Sequence, residues 1–363
     1  MMLGSPDEEL SMTSLIRRCG WLLPLALLSG LLWAANRGSS STEMTRAALA
    51  LREALDEGQL AKLDFPFGDA YRRDWHFVPR ERRGLALADM DLEQRGWLRR
   101  LLATALSQHG LARVDGIVEL EGLLRELEST PGRPALGRDP ERYVVALFGP
   151  PSDKEPWAWR YEGHHLSLSF TSIDGRVAVT PFFLGSNPAR VQSGPTTGKR
   201  VLGEEEDAAR AFVLSLDEEQ KRSACPADAV PADVLLGPDR RASFQKPAGI
   251  PALALSDGQR AALLGLVELY SRNLESELAS AVLERVREED PDTWCFLWLG
   301  GTEEGQGHYW RVQSKRLAIE LDNTQNDANH VHTLWRDFAN DFGEDDLARH
   351  YAAEHAGRSD SDE

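Results

Sequence analysis

The hydrophobic pattern changes period several times along the chain. Met44 to Leu63 is rich in Ala, Leu and Glu and predicts a helix that Phe65-Pro66-Phe67-Gly68 ends. An aromatic and arginine-rich segment follows, from Tyr71 to Arg83. Asp91 and Gln94 form an N-cap and N3 pair ahead of Trp97, Leu98, Leu101, Leu102, Ala105 and Leu106 at helical spacing. Ile117, Leu120, Leu123, Leu124 and Leu127 repeat the pattern until Thr130-Pro131-Gly132. Such stripes predict core-facing helices. From Arg142 the period falls to two: Tyr143 to Phe148 is apolar, then Trp157, Trp159 and Tyr161 alternate with smaller or polar residues, as do Leu166, Leu168 and Phe170. Asp174-Gly175 between Ile173 and Val177 is a hairpin signal, so an antiparallel meander is expected as far as Phe183.

The second half reads as a helix from Glu204 to Leu216, a Pro-rich loop from Cys225 to Pro251, and one long helix opened by Ser256 and Gln259 that runs through Leu266, Tyr270, Leu274, Leu278 and Val282. Strands are expected at Trp294 to Leu299, Tyr309 to Gln313 and Leu317 to Leu321, around a glycine-rich turn at Gly300 to Gly307. Asn329 reads as the N-cap of a last helix whose buried face is Val331, Leu334, Trp335 and Phe338. Grouped strands and grouped helices point to an α+β fold. The expected arrangement is an antiparallel sheet or pair of sheets from residues 142–183 and 293–322, packed against several helices. Residues 43–355 are expected to form one domain, with a disordered acidic tail at 356–363.

Composition narrows the function classes only slightly. With 363 residues, 42% hydrophobic and 27% charged, the chain is an ordinary globular one. Its net charge of −17 is spread out, and no basic stripe offers a surface for phosphate backbones, so nucleic acid is not an expected partner. At the amino terminus Arg17-Arg18 precedes an uncharged apolar stretch from Gly20 to Ala35, shorter than the roughly 20 residues a spanning helix needs. Residues 1–42 therefore read as a signal peptide and short linker, cleaved between about Ala34 and Ser41. The expected destination is periplasmic or secreted, with tethering by an uncleaved signal as the alternative and no other membrane contact. Cys225 and Cys295 either pair in an oxidising compartment or stay as free thiols.

The densest chemistry lies at Asp322-Asn323-Thr324-Gln325-Asn326-Asp327-Ala328-Asn329-His330-Val331-His332. Side-chain oxygens and amides of this kind hold tight loops, and the run ends in two imidazoles spaced i, i+2. On a helix those imidazoles diverge; on extended backbone they share a face. His164 and His165 open the Leu166 strand and are expected on opposite sides of it, so that only one reaches a given site. His330, His332 and one of His164 or His165, with Asp322 or Asp327 beside them, would make a site for zinc, copper or iron. Asp322, Asp327 and Arg336 are the candidate catalytic side chains, and Arg80, Arg311, Asn323 and Gln325 the candidate contacts to a small polar substrate. The bland alternative is that each histidine caps an element or bonds a carbonyl.

No H-E-x-x-H, G-x-S-x-G or phosphate-loop motif is present, which disfavours zincin, α/β-hydrolase and nucleotide-binding readings. Three groups of segments carry a resemblance: Trp75-His76-Phe77-Val78-Pro79 with Arg83-Gly84-Leu85; Gly163-His164-His165-Leu166-Ser167; and Glu320 to Asn326 through His330-Val331-His332-Thr333 with Trp335-Arg336-Asp337. They resemble the bacterial and fungal domain-of-unknown-function 3500 family over about Met44 to Tyr351. That resemblance implies one family-wide domain, often on exported proteins, and brings no activity with it. The residues themselves lead to the expectation of a metal-dependent enzyme, hydrolase-like or an oxidoreductase. An extracytoplasmic small-molecule binding protein and a metal-free acid/base enzyme are the alternatives.

Overall fold

A computed structural model describes residues 39–133, 135, 137–226, 229–238 and 247–356, with side chains as far as 353. The expected signal segment around Arg17-Arg18, Cys19 and the tail from 357 lie outside the described residues. Helix α1 (Ser40–Glu53) stops short of the expected end, and α2 (Glu57–Leu63) restarts behind Asp56, whose carboxylate accepts from Gln59 N in a capping box. Short strands β1 (Asp64–Phe65) and β2 (Leu85–Ala86) follow, then α3 (Leu92–Ala105), opened by the Asp91–Gln94 box, and α4 (Gln108–Glu128). Next come β3 (Val144–Phe148), β4 (Trp157–Gly163), β5 (Leu166–Ile173), β6 (Arg176–Ala178) and β7 (Phe182–Ser186). Helices α5 (Gly203–Leu214) and α6 (Glu218–Ala224), strand β8 (Ile250–Pro251), and helices α7 (Asp257–Ser271) and α8 (Ser276–Glu288) lead to β9 (Cys295–Gly300), β10 (His308–Gln313), β11 (Leu317–Asn323), β12 (Val331–Asp337) and α9 (Glu344–Ala356).

All strands among the described residues join one sheet, antiparallel except where β1 runs parallel to β3, in the order β1-β3-β4-β5-β7-β12-β11-β10-β9-β8, with β2 on β3 and β6 on β5. The two meanders expected from sequence are thus halves of one sheet, and β7 and β12 join them at its centre. One face carries Trp159, Phe170, Phe182, Trp335, Ile319, Trp310 and Phe296 into the main core, where Met44, Leu102, Ile117, Leu266 and Tyr270 from the helices meet them. The other face is more polar: Arg160, Glu162, Glu320, Asp322, His332 and Arg336 are all buried there. Loops cover that face, with Trp75, Phe77, Val234 and Leu236 packing on Phe183, Ala318 and Leu334. The buried charges on it are paired or bonded, Glu162 to Arg82 and Arg160, and Glu320 to the backbone N–H groups of Leu235 and Leu236.

Three local expectations are corrected. The long helix is two, α7 and α8, because the chain leaves helical geometry to dock on the α3–α4 junction: Glu275 N donates to Ala105 O, and the Glu275 carboxylate caps α8 through Glu277 N. Gly110 makes this possible, since a Cβ there would stand 2.1 Å from Asn273 O. The apolar stripe continues across the break because Leu266, Tyr270, Leu274, Leu278 and Val282 all join the main core. Secondly, Val331 to Asp337 is the strand β12 and not a helix capped by Asn329. A central strand buried on both faces places apolar residues at Val331, Leu334 and Trp335 without alternation, which mimics helical spacing. Thirdly, His164 and His165 form the turn between β4 and β5 instead of opening a strand. Cys225 and Cys295 are free thiols, and no helix among the described residues is long and apolar enough to cross a membrane.

Candidate metal centre

His165 holds a left-handed backbone, φ 61°, fixed from both sides: its N–H donates to Phe77 O at 2.9 Å and its carbonyl accepts from Gly185 N at 2.7 Å. The ring lies against β7 because Gly185 has no side chain; a Cβ there would stand 3.0 to 3.1 Å from three carbons of His165. Gly185 is in turn the register partner of His332 on β12, and Asp322 of β11 is the register partner of His332 on its other side. His330 directly precedes the strand on extended chain, so His330 and His332 project the same way. The result is a trio, His165, His330 and His332, whose ligand atoms all lie within 4.8 Å of one another.

The trio's nitrogens are prepared as lone-pair donors. His165 Nε2 and His330 Nε2 are 2.8 Å apart, a contact that requires at least one of them to be unprotonated. Burial pushes His165 well below the usual histidine range, the neighbouring imidazoles adding to it, and brings His330 down to about 3. His332 Nδ1 sits 2.7 Å from Asp233 Oδ1. Donation to that carboxylate fixes the tautomer and leaves the Nε2 lone pair free, and Nε2 is buried without a partner among the described residues. Desolvation raises the Asp233 pKa, but the bond and charge of His332 outweigh it and hold the acid below its ordinary value. Across the strand, Asp322 Oδ1 accepts from Thr324 N and Oγ1 while Oδ2 is buried without a partner among the described residues, and burial lifts this carboxyl to about 6.

The polar run ahead of His330 is a scaffold. Asn326, Asp327 and Ala328 are consecutively left-handed, at φ 52°, 55° and 57°. Such backbone costs on the order of 1–2 kcal/mol per residue, and the surrounding bonds hold it. Asn323 Oδ1 accepts from His330 N, Asn329 Oδ1 accepts from Arg190 N, and Gln325 Nε2 donates to Ala232 O. Of the other sequence candidates, Asp327 is exposed on this loop. Arg311 faces Glu320 across β10 and β11, Arg336 is engaged by Asp341 Oδ2 and Leu236 O, and Arg80 pairs with Asp74. His164 stacks on His165 at 3.7 Å between ring centroids, yet its Nδ1 is bonded to Glu121, outside the trio. Sequence reasoning missed Asp233, Glu121 and Gly185. Only Gly185 left a signal, an isolated glycine in an apolar strand, which marks close approach of another group.

No curated protein and no solved structure matches this chain. A family model does, over residues 37–344, a span that includes all three histidines and both carboxylates of the site. The chain belongs to the family described as protein of unknown function (DUF3500).

Proposed function

We propose that this protein is an exported, metal-dependent enzyme, hydrolase-like, that binds zinc through His165, His330 and His332. The observation that carries the reading is the trio itself: three imidazoles from a turn and a strand end, two of them kept from protonating by burial, the third oriented by a carboxylate, around a point that Gly185 keeps open. A tetrahedral zinc with bonds of about 2.0–2.1 Å holds its nitrogens about 3.3 Å apart. The 2.8 Å contact and the 4.8 Å limit bracket that spacing, so small ring rotations suffice. Three protein nitrogens with an open fourth position is a catalytic and not a structural ligand count. The ion would supply Lewis acidity and a water acidic enough to lose its proton near neutral pH. Asp322, with one oxygen unspent and a pKa lifted to about 6, would accept that proton. Copper or iron would fit the same donors and would turn the reading toward oxidation.

The partner in this reading is a small polar molecule, with neither nucleic acid nor, beyond the amino-terminal segment, membrane involved. Elemental analysis of the purified protein tests it, with the His332→Ala variant as control. Stoichiometric zinc in the wild type that disappears from the variant, with circular dichroism unchanged, supports the site. Wild-type protein that takes up no zinc, copper or iron removes the metal-enzyme reading and puts a binding protein in front. Export is tested by amino-terminal sequencing of the mature chain. A start at or before Ser40 leaves whole the contacts by which Ser40 Oγ holds Glu275 and Glu277.

A further inference from the structure

His164, the imidazole left out of the trio, lines a cavity of about 250 Å3 together with Arg80, Arg82, Glu121, Arg142 and Tyr143. That is the volume of about eight waters at roughly 30 Å3 each, room for a molecule the size of a small amino acid. Some of the charge around it is already spent, Arg82 on Glu162 and Arg80 Nη2 on Asp74. What remains has both signs. Glu121 is 2% exposed; Oε2 meets His164 Nδ1, while Oε1 is buried with no partner among the described residues. Arg80 Nε is buried and unpartnered as well, and Arg142, exposed at the cavity wall, makes no ion pair among the described residues.

We propose that this cavity binds a small zwitterion, an α-amino acid or a molecule of the same charge pattern. Its ammonium meets Glu121 Oε1, and its carboxylate meets Arg142 and the Nε of Arg80. A simple acid would leave the buried Glu121 oxygen unmet, and a simple amine would leave the arginine donors unmet, so the two orphaned groups select together. The stacking of His164 on His165 sets the bound molecule one ring away from the trio. Its role as the substrate rests on the metal-enzyme reading; its binding does not.

The experiment is calorimetric titration of the metal-stripped full chain in EDTA with glycine and L-alanine, against acetate and ethylamine as probes that each lack one charge. The expected result is one site for a zwitterion, with both single-charge probes weaker by about tenfold or more, the loss of one charge-assisted bond. Arg142→Ala, a change at an exposed side chain, should weaken zwitterion binding by a similar factor with an unchanged melting curve, and Glu121→Gln should weaken it further. Absence of zwitterion binding, equal binding of acetate or ethylamine, or unaltered affinity in Arg142→Ala overturns the proposal. Because no metal is in the cell, a failed zinc site leaves these outcomes untouched, and zinc uptake without zwitterion binding removes the cavity proposal alone.

Discussion

Replacing Gly185 by Ala perturbs the proposed centre without removing any donor. The new Cβ would stand 3.0 Å from His165 Cδ2 and 3.1 Å from its Cβ and Cγ. Carbon atoms rest at about 3.5–4.0 Å, so the ring must give by a few tenths of an ångström. It has little freedom to do so: the His165 backbone is bonded to Phe77 and Gly185, and His164 stacks on the ring. Metal–ligand distances tolerate about ±0.2 Å, so the displacement takes His165 out of bonding range. Loss of a direct ligand should exceed the roughly 10–100-fold that outer-shell changes cost, and zinc affinity should fall by about 100-fold or more. The fold should lose little, because overpacking costs about 1–3 kcal/mol and the gain of Ala over Gly in a strand returns about 0.5–1 kcal/mol. Competition against a zinc-binding dye at neutral pH reads the affinity, and a thermal melt in EDTA reads the stability. In a His165→Ala background the same substitution should change zinc binding far less, since the imidazole it displaces has gone and only the Cβ contact at 3.1 Å remains. Wild-type affinity in Gly185→Ala, or equal losses with and without His165, would refute the placement of His165 as a ligand.

Three further outcomes follow from the same geometry. Asp233→Asn should weaken zinc by about 10–100-fold by freeing the His332 tautomer, and Asp322→Asn should keep the metal more nearly intact while removing hydrolytic turnover; equal metal loss in both would argue against the division of roles. Metal-free protein should lose stability as pH falls from about 6.5 towards 3: His165 and His330 have folded pKa values depressed by burial, so the unfolded chain takes up protons that the folded one refuses. Asp322, raised to about 6, works the other way, losing stability as pH rises through that value, and offsets only part of the effect; an EDTA-treated melting temperature that is flat between pH 7 and pH 4 would contradict the burial of neutral imidazoles. Saturating zinc should raise the melting temperature at pH 7 in wild type but not in His332→Ala, read by the same melts.

How much of this was legible in the sequence depends on whether the signal was local. The capping box at Asp91, the hairpin turn at Asp174-Gly175 and the two-residue alternation at Trp157 to Phe170 act within a few residues of themselves, and the corresponding α3, β4 and β5 are where they were expected. Val331 to Asp337 failed for the opposite reason. Its identity as a strand is set by β7 and β11 on either side, and a strand with apolar residues on both faces carries no period of two to read. That error also governed the site, because on a helix His330 and His332 diverge, whereas on this strand they converge.

The donor side chains were thus visible as a dense polar run, while the groups that tune them were not. Asp233 stands in a proline-rich loop nearly a hundred residues from His332, and Gly185 contributes only an absence of atoms. Their effect arises from register: β7 and β12 pair so that Gly185 faces His332, and this pairing brings the turn between β4 and β5 over the start of β12. A one-residue slip of β12 against β7 would send His332 to the core face and Val331 to the polar one. The apolar row of Val331 and Trp335 in the main cluster, with Thr333 bonded to Tyr270 between them, resists that slip. The core packing on one face of the sheet therefore fixes the metal geometry proposed for the other.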